Sequence, residues 1–299
     1  MSPLLFAIFL NDLKSFLSEK YNGLTKITSS INDTLNIYFQ IFCLLYADDT
    51  ILLAESAKQL QIALDGLHTY CNTWSLKVNV DKTKIMIFSK GRIRRFNSFF
   101  KFGENKVDVV DDYVYLGTTF NFNGKFNKAM ARQVLQAKKA TFSQVNKVKR
   151  LNLPIDMFVE LFEKVSIPVL LYGSEVWGYE NTRQLQVMVN NVMRRTLRLN
   201  KSTSVCMING ELGLKEISEF VENRMLNYWC NIATVEEEKM SSILYKWIKT
   251  LYDQNLYVSP WLDKIKNTLD HIGMSYLFNN ITSTNRNWFK NSVKQAKTE

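Results

Sequence analysis

Cysteine is scarce and scattered in this chain. The four residues, Cys43, Cys71, Cys206 and Cys230, show no CxxC spacing. That argues against a disulfide framework or a zinc site and for small core residues of a reducing compartment. Histidine is scarcer still. His68 and His271 lie far apart, neither beside a second ligand at metal-binding spacing, so histidine-centred catalysis has little support. Long apolar runs are missing too, since none approaches the roughly 20 residues needed to span a bilayer. Leu4 to Leu10 imitates the core of a secretory signal, yet no basic residue precedes it and Asn11-Asp12 follows without a small-residue cleavage pattern. The expected location is inside the cell, in the nucleus or the cytoplasm, with no membrane as partner. The sequence also lacks internal repeats and low-complexity linkers.

What is present describes a folded, cationic protein. Its 299 residues can bury a real core and hold one or two domains. A hydrophobic share of 46% with 13% aromatics excludes a disordered tail. The net charge of +10 points to a polyanionic partner.

The stretch Phe42-Cys43-Leu44-Leu45-Tyr46-Ala47-Asp48-Asp49-Thr50-Ile51-Leu52-Leu53-Ala54 sets two adjacent carboxylates between apolar runs. The runs are short and rich in Leu and Ile, the pattern of buried strands, so Asp48 and Asp49 fall at or near the bend of a β-hairpin. Charges beside that much apolar surface are costly unless paired, and a hard divalent cation is a natural partner for them. A plain hairpin turn accounts for the same spacing, because Asp is common in turns.

The rest of the chain reads as strands giving way to helices. Ser2 and Pro3 have the form of a helix start before Leu4 to Leu13, and residues 18–36 read as a polar loop with room for a short strand. Ser56-Ala57-Lys58-Gln59 has the form of a capping box. It opens a helix whose stripe of Leu60, Leu64, Leu67, Cys71 and Trp74 places Trp74 in the core. A strand is expected over Lys84 to Phe88, then a basic, Phe-rich loop over 92–101. Val107 to Val110 and Tyr113 to Phe120 are expected to pair as a hairpin turning at Asp111-Asp112.

Between Phe126 and Arg150 the chain carries Lys128, Arg132, Lys138, Lys139, Lys147, Lys149 and Arg150 and no acid. Phe126, Met130, Val134, Ala137, Phe142, Val145 and Val148 make an approximate apolar stripe on the same helix. A basic face over an apolar seam suits a phosphate backbone, whereas a solvated surface helix usually mixes both signs of charge. Helices are expected over 155–167, interrupted by Pro168, and over 182–199, 216–234, 241–252 and 260–272. Val169 to Trp177 reads as a buried element, Gly210-Glu211-Leu212-Gly213 as a turn, the run Glu236-Glu237-Glu238 as a solvated helix end, and the region beyond Asn279 as a loose tail.

Tyr46-Ala47-Asp48-Asp49 between apolar strands resembles the catalytic core motif of reverse transcriptases. Four further blocks follow the family's order. Ser2-Pro3-Leu4-Leu5-Phe6 with Asn11-Asp12-Leu13 is similar to the end of the preceding motif. Trp74-Ser75-Leu76-Lys77-Val78-Asn79 with Lys82-Thr83 is similar to the following palm segment. Tyr115-Leu116-Gly117 resembles the primer-grip hairpin, and Leu171-Tyr172-Gly173-Ser174-Glu175-Val176-Trp177 the segment after the thumb of non-LTR, LINE-like retrotransposon polymerases.

The resemblance implies an α+β fold. A partial polymerase palm of antiparallel hairpins with packed helices would occupy residues 1–123, a helical thumb-like region 124–200, and a helical C-terminal region 201–299. It implies Asp48 and Asp49 as catalytic metal ligands for two Mg²⁺ ions, acting with a third Asp from an earlier strand. Tyr46, Lys82, Tyr115, Leu116 and Gly117 would face primer or nucleotide. The partners implied are an RNA template with a DNA primer, as an RNA–DNA duplex, and deoxynucleoside triphosphates.

The family's earlier strand and fingers have no counterpart in residues 2–177, and neither Asp12 nor Asp33 has the strand context of the missing ligand. The sequence therefore reads as an N-terminally truncated polymerase domain, catalytically incomplete alone. A non-catalytic nucleic-acid-binding remnant that uses the 126–150 helix stands as the alternative.

Overall fold

The computed structural model describes residues 8–21, 24–28, 37–41, 43–46, 49–89, 99–235, 239–282 and 286–295. The start expected at Ser2-Pro3, the basic residues Arg92, Arg94 and Arg95, and the run Glu236 to Glu238 lie outside them. Two compact units make up the chain. The first takes residues 1–113 and 122–124, the second 114–121 and 125–299.

Helix α1 (Leu13–Ser18) opens the first unit, ahead of two antiparallel pairs. Strands β1 (Leu24–Thr28) and β2 (Ile37–Ile41) pair from Leu24 opposite Ile41 to Thr28 opposite Ile37. They fall in and just after the region read as loop. Strands β3 (Cys43–Tyr46) and β4 (Asp49–Leu52) pair from Cys43 opposite Leu52 to Tyr46 opposite Asp49. Helix α2 (Ala57–Thr73) starts as its sequence dictates, with the Ser56 hydroxyl accepting from the Gln59 N–H. The Gln59 side chain in turn accepts from the N–H of Glu55, 3.1 Å away, so two otherwise orphaned donors are satisfied reciprocally.

Helix α2 buries two faces. Ala63 and Tyr70, seven residues apart, pack on Leu13 and Leu17 of α1. Leu64 and Cys71 pack on Ile85, Phe100, Phe102 and Val107. A Cβ on Gly66 would come within 3.3 Å of Leu17, so a larger residue there would press on the α1 contact. On the other side, the Gln61 amide spans the edge of a strand, donating to the Lys101 carbonyl and accepting from its N–H at 2.9 and 3.0 Å.

That sheet overturns one sequence expectation. Strands β5 (Lys84–Ile85), β7 (Asn105–Val109) and β6 (Phe100–Phe102) form it in that order. Strand β7 turns back on β6 through Gly103 and runs parallel to β5. Val107 therefore does not pair with Tyr113 around Asp111-Asp112. The turn fell to Gly103, whose φ of +59° suits glycine, and two aspartates had drawn it to the wrong place. The strand expected over Lys84 to Phe88 shortens to its first two residues. Trp74 is the other correction. It caps the end of α2, 45% exposed, and meets the exposed Phe9 edge to face at 5.5 Å. The stripe's spacing held, but the helix ends at Thr73, and Ser75 with φ +53° turns the chain away.

In the second unit β8 (Asp112–Tyr115), whose last two residues belong to it, pairs with β9 (Thr118–Asn121). Beyond Asn121 the described residues are helices and their connections. Helix α3 (Asn127–Arg150) is followed by α4 (Ile155–Leu161), a π turn (Phe162–Ser166), α5 (Ile167–Leu170) and α6 (Ser174–Trp177). The π turn has a local cause. Pro168 offers no N–H and its ring crowds the carbonyl four residues back, so the ladder just before it loosens, and the Ile167 N–H reaches the Phe162 carbonyl five residues back.

Gly173, at φ +76°, bends the chain between α5 and α6. The carbonyls freed by the bend find donors, as buried backbone requires. Trp177 donates to the Tyr172 oxygen at 3.1 Å, Arg224 to that of Leu171 at 3.0 Å and Trp261 to that of Glu175 at 2.8 Å. Val169 to Trp177 is thus a kinked helical pair, with Leu170, Leu171 and Trp177 buried and Tyr172 and Val176 exposed.

Helices α7 (Arg183–Thr196), α8 (Val205–Leu212), α9 (Ile217–Ala233), α10 (Met240–Asp253), α11 (Pro260–His271), α12 (Leu277–Asn280) and α13 (Arg286–Gln295) complete the unit. Gly210 to Leu212 are the last turn of α8, and only Gly213, in a left-handed conformation, is its cap. The loose tail expected beyond Asn279 is replaced by α13. Phe289 and Val293 are buried there in the same core as Met130, Phe162, Trp177 and Trp229. Phe289 meets the Trp229 ring at 5.7 Å, and Arg286 donates twice to the Asn231 side chain, the shorter bond at 2.7 Å. Polar composition hid a helix that buries only two large residues. Truncating one of them, Phe289→Ala, should cost about 3–5 kcal/mol of stability, read as a lowered denaturant midpoint by circular dichroism; a loose tail would show no change.

Candidate functional site

The acidic hairpin pairs two four-residue strands with a two-residue gap between them. With Tyr46 opposite Asp49, only Ala47 and Asp48 remain between the strands. Short connections of this kind favour small and acidic residues. Asp49 opens β4 with an exposed side chain, while Thr50, Ile51 and Leu52 behind it are half-buried. Asp48 itself lies outside the described residues, as do the side-chain surroundings of Tyr46.

The donor chemistry of Asp49 suits a hard cation, but one described carboxylate does not make a metal centre. Among the described residues no three His, Cys, Asp or Glu side chains converge where an ion could be held. Asp12, a candidate for a further carboxylate, is already engaged. It accepts from the Tyr70 hydroxyl at 2.5 Å instead of capping α1. Burial, then the hydrogen bond and charge of Asp12, hold the Tyr70 hydroxyl well above the ordinary tyrosine range. Asp33 lies outside the described residues.

Lys82 sits in the turn before β5. Its N–H donates to the Asn79 carbonyl and side chain, its own carbonyl accepts from the Tyr113 hydroxyl at 3.2 Å, and its ammonium is exposed. Asp49 and Lys82 belong to the first unit. Tyr115, Leu116, Gly117 and the seven cations of α3 belong to the second.

In that second unit Leu116 and Gly117 form the tip of the β8–β9 hairpin. Both have positive φ, +46° and +78°, the pattern of a type I′ turn. Glycine takes this conformation freely, whereas leucine pays about 1 kcal/mol for it. The tip is held from two sides. The Tyr172 hydroxyl donates to the Leu116 carbonyl at 2.8 Å, and the buried amide of Gln133, on α3, donates to that of Gly117 at 3.3 Å. Neither Tyr172 nor Gln133 stood out in the sequence as a partner of this turn. A weak signal was there in Gly117 and Gly173, two glycines in separate motifs that both proved to need positive φ.

Helix α3 presents its cations as its sequence suggests. Lys128, Lys138, Lys139, Lys147 and Arg150 are exposed, while Met130, Ala137 and Val148 are buried on the other face. Arg132 is half-buried with its Nε enclosed and unpaired, and the Lys149 side chain lies outside the described residues. Phe142, placed on the apolar stripe by spacing, is 54% exposed. Thr141 and Gln144 are buried in its stead, joined by Ser166 of the π turn at 2.9 and 3.0 Å.

The β3–β4 hairpin is followed by a capped helix and a small sheet, and the sequence of this region can be compared with known proteins. Residues 1–120 match the family described as reverse transcriptase (RNA-dependent DNA polymerase). Over 239 residues, 74% of this chain, it is 23% identical to the transposon-derived protein F52C9.6 of Caenorhabditis elegans, of which the match covers 82%. Over 195 residues, 61% of this chain, it is 26% identical to a Drosophila melanogaster protein described as a probable RNA-directed DNA polymerase from transposon BS. The match spans 21% of that protein. No solved structure matches the chain.

The Asp12–Tyr70 bond gives a direct check on the first unit. Because the folded state holds the Tyr70 proton more tightly than the unfolded chain, its contribution is complete below pH 10 and is lost as pH rises above that ordinary value. Tyr70→Phe should lower stability by about 1 kcal/mol near neutrality and flatten the alkaline limb of the stability–pH curve, measured by urea titration at pH 7 to 11.

Proposed function

We propose that this chain is part of an RNA-directed DNA polymerase of the non-LTR retrotransposon kind, with the Asp48-Asp49 hairpin as its metal-binding element. The observation that carries the reading is the register of β3 and β4, which leaves two residues between Tyr46 and Asp49 in a segment of reverse transcriptase sequence. Reverse transcriptases generally use divalent metal. When bound, two Mg²⁺ ions activate the primer 3′-hydroxyl and neutralise the triphosphate. Asp48 and Asp49 would hold them with hard carboxylate oxygens, Asp48 as the principal ligand and Asp49 in support. Tyr46 packs against the primer end or nucleotide, and Lys82 is the candidate donor of a proton to pyrophosphate. Residues 1–123 act as palm, 124–200 as thumb and 201–299 as a further helical region.

Two carboxylates of the family's three are accounted for, so the 299-residue chain assayed alone should not extend a DNA primer on an RNA template in Mg²⁺. Extension that Asp48→Ala abolishes would overturn the incompleteness while supporting the metal role. Supplying a polymerase segment with the third carboxylate should restore extension, again lost in Asp48→Ala.

A second reading rests on α3, whose exposed cations include Lys138, Lys139 and Lys147 with no acid among its 24 residues. Here the helix holds an RNA–DNA duplex by its phosphates whether or not the acidic pair works. Affinity for such a duplex should fall steeply with salt. Replacing Lys138 and Lys139 with Gln should lessen the slope of log affinity against log salt by about two. An unchanged slope would remove α3 from the interface.

A further inference from the structure

We infer that Tyr172 and Gln133 are positioning residues that lock the Leu116–Gly117 hairpin tip onto the basic helix, so that tip and helix engage a nucleic-acid backbone as one rigid platform. The inference rests on the reading of α3 as a duplex-binding face and assigns it two uncharged residues.

Three contacts around the tip carry the argument. Tyr172 reaches the Leu116 carbonyl with its hydroxyl at 2.8 Å. Gln133, only 2% exposed, reaches the Gly117 carbonyl from within α3. Thr118, the first residue after the tip, faces Gly173, where an added Cβ would lie 3.3 Å from the threonine hydroxyl. A Cβ on Gly117 would lie 3.2 Å from the Tyr172 ring, so ring and backbone are in close approach. An ordinary type I′ turn needs no such support when Gly or Asn fills both central positions. Here leucine occupies the first, at φ +46°, and strain of this kind persists only where the surroundings over-determine it.

The expense of that strain suggests a purpose. Both locks use tip carbonyls, so those acceptors are already engaged, one at an exposed and one at a partly buried hydrogen bond, and are less available to a ligand. A polyanion repels carbonyl oxygens and accepts N–H donors, so sequestering the two acceptors removes repulsion from a surface meant for phosphate. Gln133 makes the tie to α3 itself. The cations Lys138 and Lys139 lie on that helix one to two turns further on, at exposed positions. Flexible attachment would let the tip swing away from a strand held by the helix, and the cost of ordering it would fall on binding.

Tyr172→Phe keeps the ring and removes only the hydroxyl. In the full chain it should raise amide hydrogen exchange at Gly117 and Thr118, leave the melting temperature within a few degrees, and weaken binding of a labelled RNA–DNA hybrid about five- to tenfold by fluorescence anisotropy. Gly117→Ala, which crowds the Tyr172 ring and strains the turn at φ +78°, should likewise raise exchange and weaken binding while also lowering the melting temperature. It and Gln133→Leu carry the test if Tyr172→Phe fails to fold. Faster exchange at the tip with unchanged affinity would make the locks merely structural and overturn the inference while the duplex-binding face stands. Unchanged exchange in all three variants would also overturn it. Absence of salt-dependent binding by the wild-type chain would instead sink the duplex-binding reading, and the inference with it.

Discussion

The second unit depends on one helix with two incompatible faces. Helix α3 must bury Met130 and Ala137 completely in a core that extends to Phe289, while its opposite side carries cations and its own sequence holds no acid. Like charges along an isolated helix repel, and a sequence of this kind would be a poor helix in water alone. Burial of the apolar side overcomes that repulsion. The polar positions Gln133, Thr141 and Gln144 mark where the buried side has been given hydrogen-bonding work, toward the hairpin tip in one case and the π turn in the other two.

The same division explains what could be read from the chain and what could not. Periodicity found α2 and α3 because each buries an apolar stripe, and stripes survive in sequence. The acidic hairpin was legible because two short apolar runs bracket it. The pairing of β7 was not. Nothing local distinguishes Gly103 from Asp111-Asp112 as the place to turn, and the partner strands Lys84–Ile85 and Phe100–Phe102 are too short to show a pattern. Helix α13 was missed for a related reason, as Phe289 and Val293 are two apolar positions in a polar segment. Trp74 shows the reverse failure, a stripe that outlasts its helix by one residue.

The candidate site divides along the same line. Spacing brought out Asp48 and Asp49, and the resemblance to reverse transcriptases brought out Tyr115, Leu116 and Gly117. The residues that hold such turns in place are ordinary by type and distant in sequence. Tyr172 and Gln133 reach the tip from 56 and 16 residues away, and only three-dimensional placement reveals them. Asp12 illustrates how placement also subtracts. A carboxylate that looked available for recruitment is paired with a buried hydroxyl on the neighbouring helix.

The π turn at Phe162–Ser166 has a bearing on evolution as well as on geometry. A π turn is in effect one residue inserted into a helix and tolerated there, and removing it restores an ordinary α-helix. Since each residue of an α-helix advances about 100° around the axis, losing one residue from this turn would rotate everything that follows by more than a quarter of a circle before the Gly173 bend. Tyr172 would then point away from the carbonyl it now holds. A single codon just upstream of the Leu171–Trp177 block thus sets the phase of the helix on which the hairpin tip relies, and related chains that lack it would need another way to keep that turn in place.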